Sequence, residues 1–264
     1  MEFRTNDGVK IHYYDTQTAG QPIVAIPGIG GYSRMWLKVA QLFKKDFRFI
    51  LIDPRNQGQS ERTYQGQRIS RHALDLAELL QKLDLQQVIG IGNSMGAANL
   101  WSYLSLFGSK RFCAMIDLDQ PPKMIRDETW SYGFKDLTWH NYPEYLKVDF
   151  GNPFFARIDE EMFDLARQEA RDFPYQPSDN YLCLIDHAHQ DWRDVLIDID
   201  IPLLVLAGEN SPLFDYHFAL AMQELSPLIE AKIIANCGHL IQAEQPREMY
   251  DEVMRFLNSY KGSD

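Results

Sequence analysis

The chain has 264 residues, 45% hydrophobic and 24% charged, with a formal net charge of -11; a chain of this length suits one α/β core carrying an insertion and buries about three quarters of its unfolded surface without disulfides. That acidic balance excludes a polyanion held by clustered Lys and Arg, so no nucleic-acid partner is expected. Cys113, Cys183 and Cys237 share no ligand spacing, the opening MEFRTNDGVK lacks the apolar core of a signal peptide, and no apolar run approaches the roughly 20 residues of a membrane span, which leads to the expectation of a cytoplasmic protein without a membrane anchor.

Short β-rich runs alternate with helical patterns. Residues 10–14, 22–26 and 47–52 read as the first strands. The spacing of Ile69, Ala73, Leu76, Leu80 and Leu83 predicts an amphipathic helix. A further strand at 88–92 leads into a helix-compatible stretch that runs to Phe107, and a strand at 112–118 follows. The alternation then breaks. Residues 121–193 are rich in aromatic side chains and read as an inserted cap, so that 1–120 and 194–264 form the core. The rings of this insertion either line a pocket or make a small core of its own. Strands at 203–207 and 232–235 and a helix around Met249, Val253, Phe256 and Leu257 complete the pattern. Strands alternating with helices imply a mostly parallel, doubly wound sheet.

The chemistry sits in the motifs. Gly92-Asn93-Ser94-Met95-Gly96 is G-x-S-x-G with an apolar strand before it and a helix after it. Glycines there let the backbone pass through a strained turn that lifts a serine hydroxyl above the sheet edge. The plainer alternative is a serine capping a helix. A serine hydroxyl is a poor nucleophile unless a base takes its proton, so a histidine must lie close in the fold. Of the seven histidines, His239 stands in a loop just after the last strand, at the edge where open α/β sheets gather their sites. His12 and His72 read as structural, and His140, His187 and His189 lie in the insertion and could at most touch substrate. His187 and His189, with Asp186 and Asp191, are better read as a polar loop than as metal ligands.

With these residues in view, the chain resembles the α/β-hydrolase superfamily almost from end to end. Ile26-Pro27-Gly28-Ile29-Gly30-Gly31 is similar to the family's glycine turn after the third strand. Asp53-Pro54-Arg55-Asn56-Gln57-Gly58-Gln59-Ser60 resembles its D-x-R-G-x-G-x-S loop, with Asn56 where glycine is usual, and Gly238-His239 followed by Glu244-Gln245-Pro246 resembles its histidine loop. The resemblance implies an eight-stranded, mostly parallel sheet flanked by helices with an inserted helical cap. It also implies that the N–H groups of Ile29 and Met95 form an oxyanion hole, two fixed dipoles aimed at the developing alkoxide.

One position departs from the pattern. Ser211, in Gly208-Glu209-Asn210-Ser211, stands where most members carry the triad aspartate, and a serine cannot balance an imidazolium. Asp119 ends the preceding strand, which some members use for the acid, and its Asp-Gln-x-Pro stretch is similar to the subgroup often labelled non-haem chloroperoxidase. Neighbouring strands lie about 4.8 Å apart, so an acid there reaches a histidine over the same edge. Glu209 and Asp215 are the alternatives.

The expectation is a serine hydrolase of a small, neutral, partly apolar ester or related carbonyl compound, working through an acyl-enzyme. Ser94, His239 and Asp119 carry the chemistry, and Trp130 and Trp139 of the cap contact substrate. No metal, nucleotide or other cofactor is expected, since the chain has neither G-x-G-x-x-G nor a phosphate loop. The alternatives are a sensor that keeps the pocket without turnover, and another reaction on the same scaffold such as perhydrolysis or C–C bond hydrolysis.

Overall fold

The computed structural model describes residues 1–261. Eight strands form one sheet: β1 Glu2–Arg4, β2 Lys10–Asp15, β3 Gln21–Ile26, β4 Phe47–Ile52, β5 Val88–Asn93, β6 Phe112–Leu118, β7 Leu203–Gly208 and β8 Ile229–Ile234. Their order across the sheet is β1-β2-β4-β3-β5-β6-β7-β8. Only β2 runs antiparallel to its neighbours, β1 and β4; the remaining pairs are parallel. The helices are α1 Leu37–Phe43, α2 Ile69–Lys82, α3 Met95–Phe107, α4 Glu160–Asp172, α5 Pro177–His189, α6 Arg193–Ile197, α7 His217–Gln223, α8 Ile241–Glu244 and α9 Pro246–Lys261.

The central strands are apolar on both sides because helices cover both faces. Alternate residues go to opposite sides. Ile23 and Ala25 of β3, Ile89 and Ile91 of β5 and Leu204 and Leu206 of β7 pack against α1 and α9 through Phe43, Met249, Val253 and Phe256. Val24, Ile26, Val88, Met115, Leu203 and Val205 face α2, α3 and α7. Each large apolar side chain buried this way contributes about 1.5–3 kcal/mol relative to exposure, which outweighs weak local propensities. The expected periodicity of α2 holds, with Ile69, Ala73, Leu76 and Leu80 all buried. Proline opens both α5 and α9, where its missing N–H is not needed.

Two strands differ from expectation. β8 begins three residues earlier than 232, because Ile229, Glu230 and Ala231 already pair with Leu203, Leu204 and Val205. It is an edge strand, bonded on one side, and its mixed burial weakens the apolar signal. β1 is a three-residue edge strand whose pairing with β2 no local pattern announces.

Between β6 and β7 the chain leaves the sheet and forms a one-turn helix, Glu144–Lys147, followed by α4, α5 and α6. Two buried carboxylates tie this segment to the core. Glu169 of α4 accepts from Ser33 Oγ at 2.5 Å and from Arg34 N at 2.8 Å. Glu244 accepts from Phe155 N at 2.9 Å and Ala156 N at 2.7 Å on the segment, and from Gly238 N at 3.0 Å on the core.

Candidate active site

The turn from β5 into α3 puts Ser94 at φ +52°, a backbone conformation that L residues rarely adopt. Glycines on either side make the turn possible by allowing close approach. A Cβ at Gly92 would lie 2.3 Å from Ala97 N, and one at Gly96 would lie 2.2 Å from Ile26 O. Ser94 N donates to Leu118 O at 2.9 Å, which fixes the turn to the end of β6.

Asp119 follows directly, also at positive φ, with its N–H bonded to Leu206 O at 2.8 Å. Its side chain is fully buried. Gly208 N donates to Oδ1 at 3.0 Å, and Ser211 Oγ donates to Oδ2 at 2.6 Å. His239 Nδ1 meets the same Oδ2 at 2.7 Å. With Nδ1–H spent on the carboxylate, Nε2 of a neutral His239 is left as an acceptor. Glu209 accepts instead from Asn236 N at 3.2 Å. Asp215 sits just before α7, where it accepts from His217 N at 3.0 Å. Neither bonds to His239.

The loop carrying His239 is fastened at several points. Asn93, the residue before the serine, donates Nδ2 to Leu118 O at 3.0 Å and to His239 O at 3.1 Å. Gln242 Nε2 in turn donates to Asn93 Oδ1 at 3.3 Å. His239 N donates to Pro153 O at 3.0 Å, a contact with the segment between β6 and β7.

Ser94, His239, Ile29 and Met95 line one cavity of about 240 Å³. Among the described residues neither Ile29 N nor Met95 N has a protein acceptor, whereas Gly30 N is bonded to Gln57 Oε1 at 2.5 Å. Gln57 thus engages one N–H of the glycine turn and leaves its neighbour free. The rest of the wall is mostly apolar, including Met124, Phe134, Phe150 and Phe214. A larger space of about 800 Å³ adjoins it, sharing Ile29, Phe150, Tyr175 and Leu184.

Trp130 and Trp139, expected to contact substrate, do not line this cavity. Trp130 is buried elsewhere, edge-on to Tyr132 with the Arg193 guanidinium 5.7 Å from its ring. Trp139 is half exposed and donates Nε1 to Asp127 at 3.2 Å. The ion pairs of Lys123 with Asp127 and of Arg193 with Asp191 hold that polar corner together. The insertion instead supplies Phe134, Phe150, Tyr175, Leu184 and His187 to the cavity. Helix phase decides this, because Leu184 and His187 lie three residues apart on one face of α5. His187 is buried, and that burial pushes its imidazole down to about 3. Its neighbours in sequence go elsewhere: Asp186 accepts from Ile69 N at 2.8 Å, and the ring of His189 packs against Trp139. Among the described residues no three His, Cys, Asp or Glu side chains are grouped to hold a metal ion. No helix among them is long and apolar enough to cross a membrane.

Comparison with known proteins agrees with this architecture. The model of the alpha/beta hydrolase family matches residues 23–252. A non-heme chloroperoxidase of Kitasatospora aureofaciens is 25% identical over 271 residues, covering 96% of this chain and 98% of that protein. A 3-oxoadipate enol-lactonase of Acinetobacter baylyi is 22% identical over 239 residues, covering 90% and 88%. The crystal structure of a bromoperoxidase from Bacillus anthracis superposes with a TM-score of 0.84 at 24% identity, over 95% of this chain and 96% of that one. The chain belongs to the α/β-hydrolase family, and its general class is that of a hydrolase.

Proposed function

We propose that this hydrolase cleaves a small, neutral carboxylic ester or lactone through an acyl-enzyme formed on Ser94. The observation that carries the reading is the buried 2.7 Å bond between His239 Nδ1 and Asp119 Oδ2, beside a serine held at positive φ on the adjoining strand end. Substrate enters the cavity with its carbonyl carbon against Ser94 Oγ. His239 Nε2 closes to hydrogen-bond distance and takes the hydroxyl proton as Oγ attacks. The oxyanion is stabilised by Ile29 N–H and Met95 N–H, fixed dipoles that need no reorganisation, and such a donor typically contributes about 3–4 kcal/mol to the transition state. Asp119 holds the tautomer of His239 and stabilises the imidazolium. His239 then protonates the leaving alcohol. Water, activated by the same nitrogen, releases the acid and restores Ser94.

Residues 121–193 serve in this reading as a cap whose inner wall selects the substrate. The apolar lining favours a partly apolar, neutral molecule, and the net charge of -11 disfavours an anionic one. The enol-lactonase among the relatives is consistent with a lactone as the bond cleaved, although the lactone of a dicarboxylic acid keeps one carboxylate and is not neutral.

The test is covalent labelling. A fluorophosphonate probe should label the wild-type protein and spare Ser94→Ala, and a short p-nitrophenyl ester should be turned over by the wild type alone. Wild-type turnover by Ser94→Ala would overturn the assignment. His239→Ala should be about as inactive, and the double variant hardly worse, because the two side chains act as one unit.

A further inference from the structure

His187 is a polar side chain of the cavity for which the proposed acyl transfer has no use. It lies on α5, facing the space that holds Ser94 and His239. Its Nδ1 is buried without a hydrogen-bond partner, and among the described residues no protein group bonds its ring. The side chains beside it on α5, Cys183, Leu184 and Ala188, are apolar or weakly polar and buried. Leucine would fill such a position without leaving a polar atom unmet, and buried polar groups are seldom left so. The ring is neutral, because the desolvation that lowers its proton affinity is opposed by no nearby carboxylate. With Nδ1 closed off from water, Nε2 is the nitrogen left for a molecule in the cavity. A neutral ring can carry its proton there and donate.

We infer that His187 reads the substrate, donating Nε2–H to a second oxygen acceptor some atoms away from the carbonyl that Ser94 attacks. This rests on the hydrolase reading above and narrows its substrate to esters or lactones bearing a further keto, hydroxyl or ring oxygen. An unsubstituted alkyl ester leaves the imidazole unpaired and is bound less well. Sites built to hydrogen-bond a substrate oxygen discriminate through the cost of leaving the protein group unmet.

Two matched ester pairs test the contact on either side of the reacting carbonyl. Ethyl butanoate and ethyl 3-oxobutanoate differ in the acyl chain; propyl acetate and 2-oxopropyl acetate differ in the alcohol. Acid release is followed for the wild type, His187→Leu and His187→Gln. In at least one pair, His187→Leu should lower kcat/KM for the oxo ester by about tenfold, the scale of one neutral hydrogen bond. The plain ester should lose nothing and gain up to a few-fold, since leucine leaves no donor unmet, and His187→Gln, whose amide nitrogen reaches a similar point, should restore most of the loss on the oxo ester. The melting temperature of His187→Leu should not fall. Equal losses on both members of both pairs, or a lower melting temperature with no change in preference, would make His187 a packing residue and overturn the inference.

Calorimetric binding of the corresponding N-propyl amides separates this inference from the hydrolase reading. If no ester is turned over by the wild type but the oxo amide binds more tightly only while His187 or Gln is present, the hydrolase reading fails and the contact stands. If neither amide is preferred, the contact fails as well.

Discussion

Ser211 donates its hydroxyl to Asp119 Oδ2 at 2.6 Å, on the oxygen that also receives His239 Nδ1. Ser211, which follows β7, thus supports the carboxylate at the end of the neighbouring strand β6. Asp119→Asn should keep the fold and lower kcat by up to about 10⁴-fold, since a neutral amide favours the wrong imidazole tautomer. Ser211→Ala removes one charge-assisted bond and should lower kcat by about tenfold. Glu209→Gln and Asp215→Asn should retain most activity. Ester turnover of the four variants decides between Asp119 and an acid remaining on the seventh strand.

The positive φ of Ser94 has a measurable cost. Ser94→Gly should be more stable than Ser94→Ala by about 1 kcal/mol, because glycine adopts this backbone without a Cβ penalty. Chemical denaturation of the two variants gives the difference directly. Equal stabilities would mean that the turn is not strained.

Acid stability follows from two buried imidazoles. Burial lowers His72 from 6.5 to about 4 and His187 from 6.5 to about 3. In the unfolded chain both take a proton near pH 6.5, whereas the folded protein resists until much lower pH. The stability they confer is therefore complete above 6.5 and is lost as pH falls through about 4 for His72 and about 3 for His187. For His72 alone the loss reaches about 3 kcal/mol. Urea midpoints between about pH 7 and 4.5 should fall in the wild type and fall less steeply in His72→Gln. Parallel slopes would contradict the assignment.

Glu244 accepts backbone N–H groups from two separate stretches of chain, 155–156 and 238–240. Glu244→Gln turns one of those acceptors into a donor facing donors. It should cost about 2 kcal/mol of stability and lower kcat by loosening the loop that holds His239. A variant that loses stability without losing activity would show that the loop is held by its other bonds.

Selection by chain length should depend on the passage between the two chambers. Phe150→Ala widens the wall they share and should raise kcat/KM for longer esters relative to acetate, while Trp139→Ala leaves the profile unchanged. A shift caused by Trp139→Ala would restore that ring to the binding site.

Much of this arrangement is legible in the chain before folding, for a physical reason. Ser94 and Asp119 each close a strand whose apolar run is buried on both faces, so strand order alone brings them to one edge, and His239 follows the last strand to the same edge. The insertion is different. Trp130 and His187 both fall in this segment, and only the packing of α5 against α2 and the one-turn helix Glu144–Lys147, with the polar corner of Lys123, Asp127 and Arg193, turns one into the cavity and the other away. The support that Ser211 gives Asp119 joins residues 92 positions apart and leaves no periodic trace.

Asn93 joins Leu118 O to His239 O through a single amide, while Ser94 N is fastened to the same Leu118 O. The ends of β5, β6 and the histidine loop are thereby yoked into one rigid body rather than three that drift independently. Heating should leave their alignment intact until the sheet itself gives way, so that inactivation and global unfolding coincide, with no temperature range in which a folded but misaligned protein accumulates.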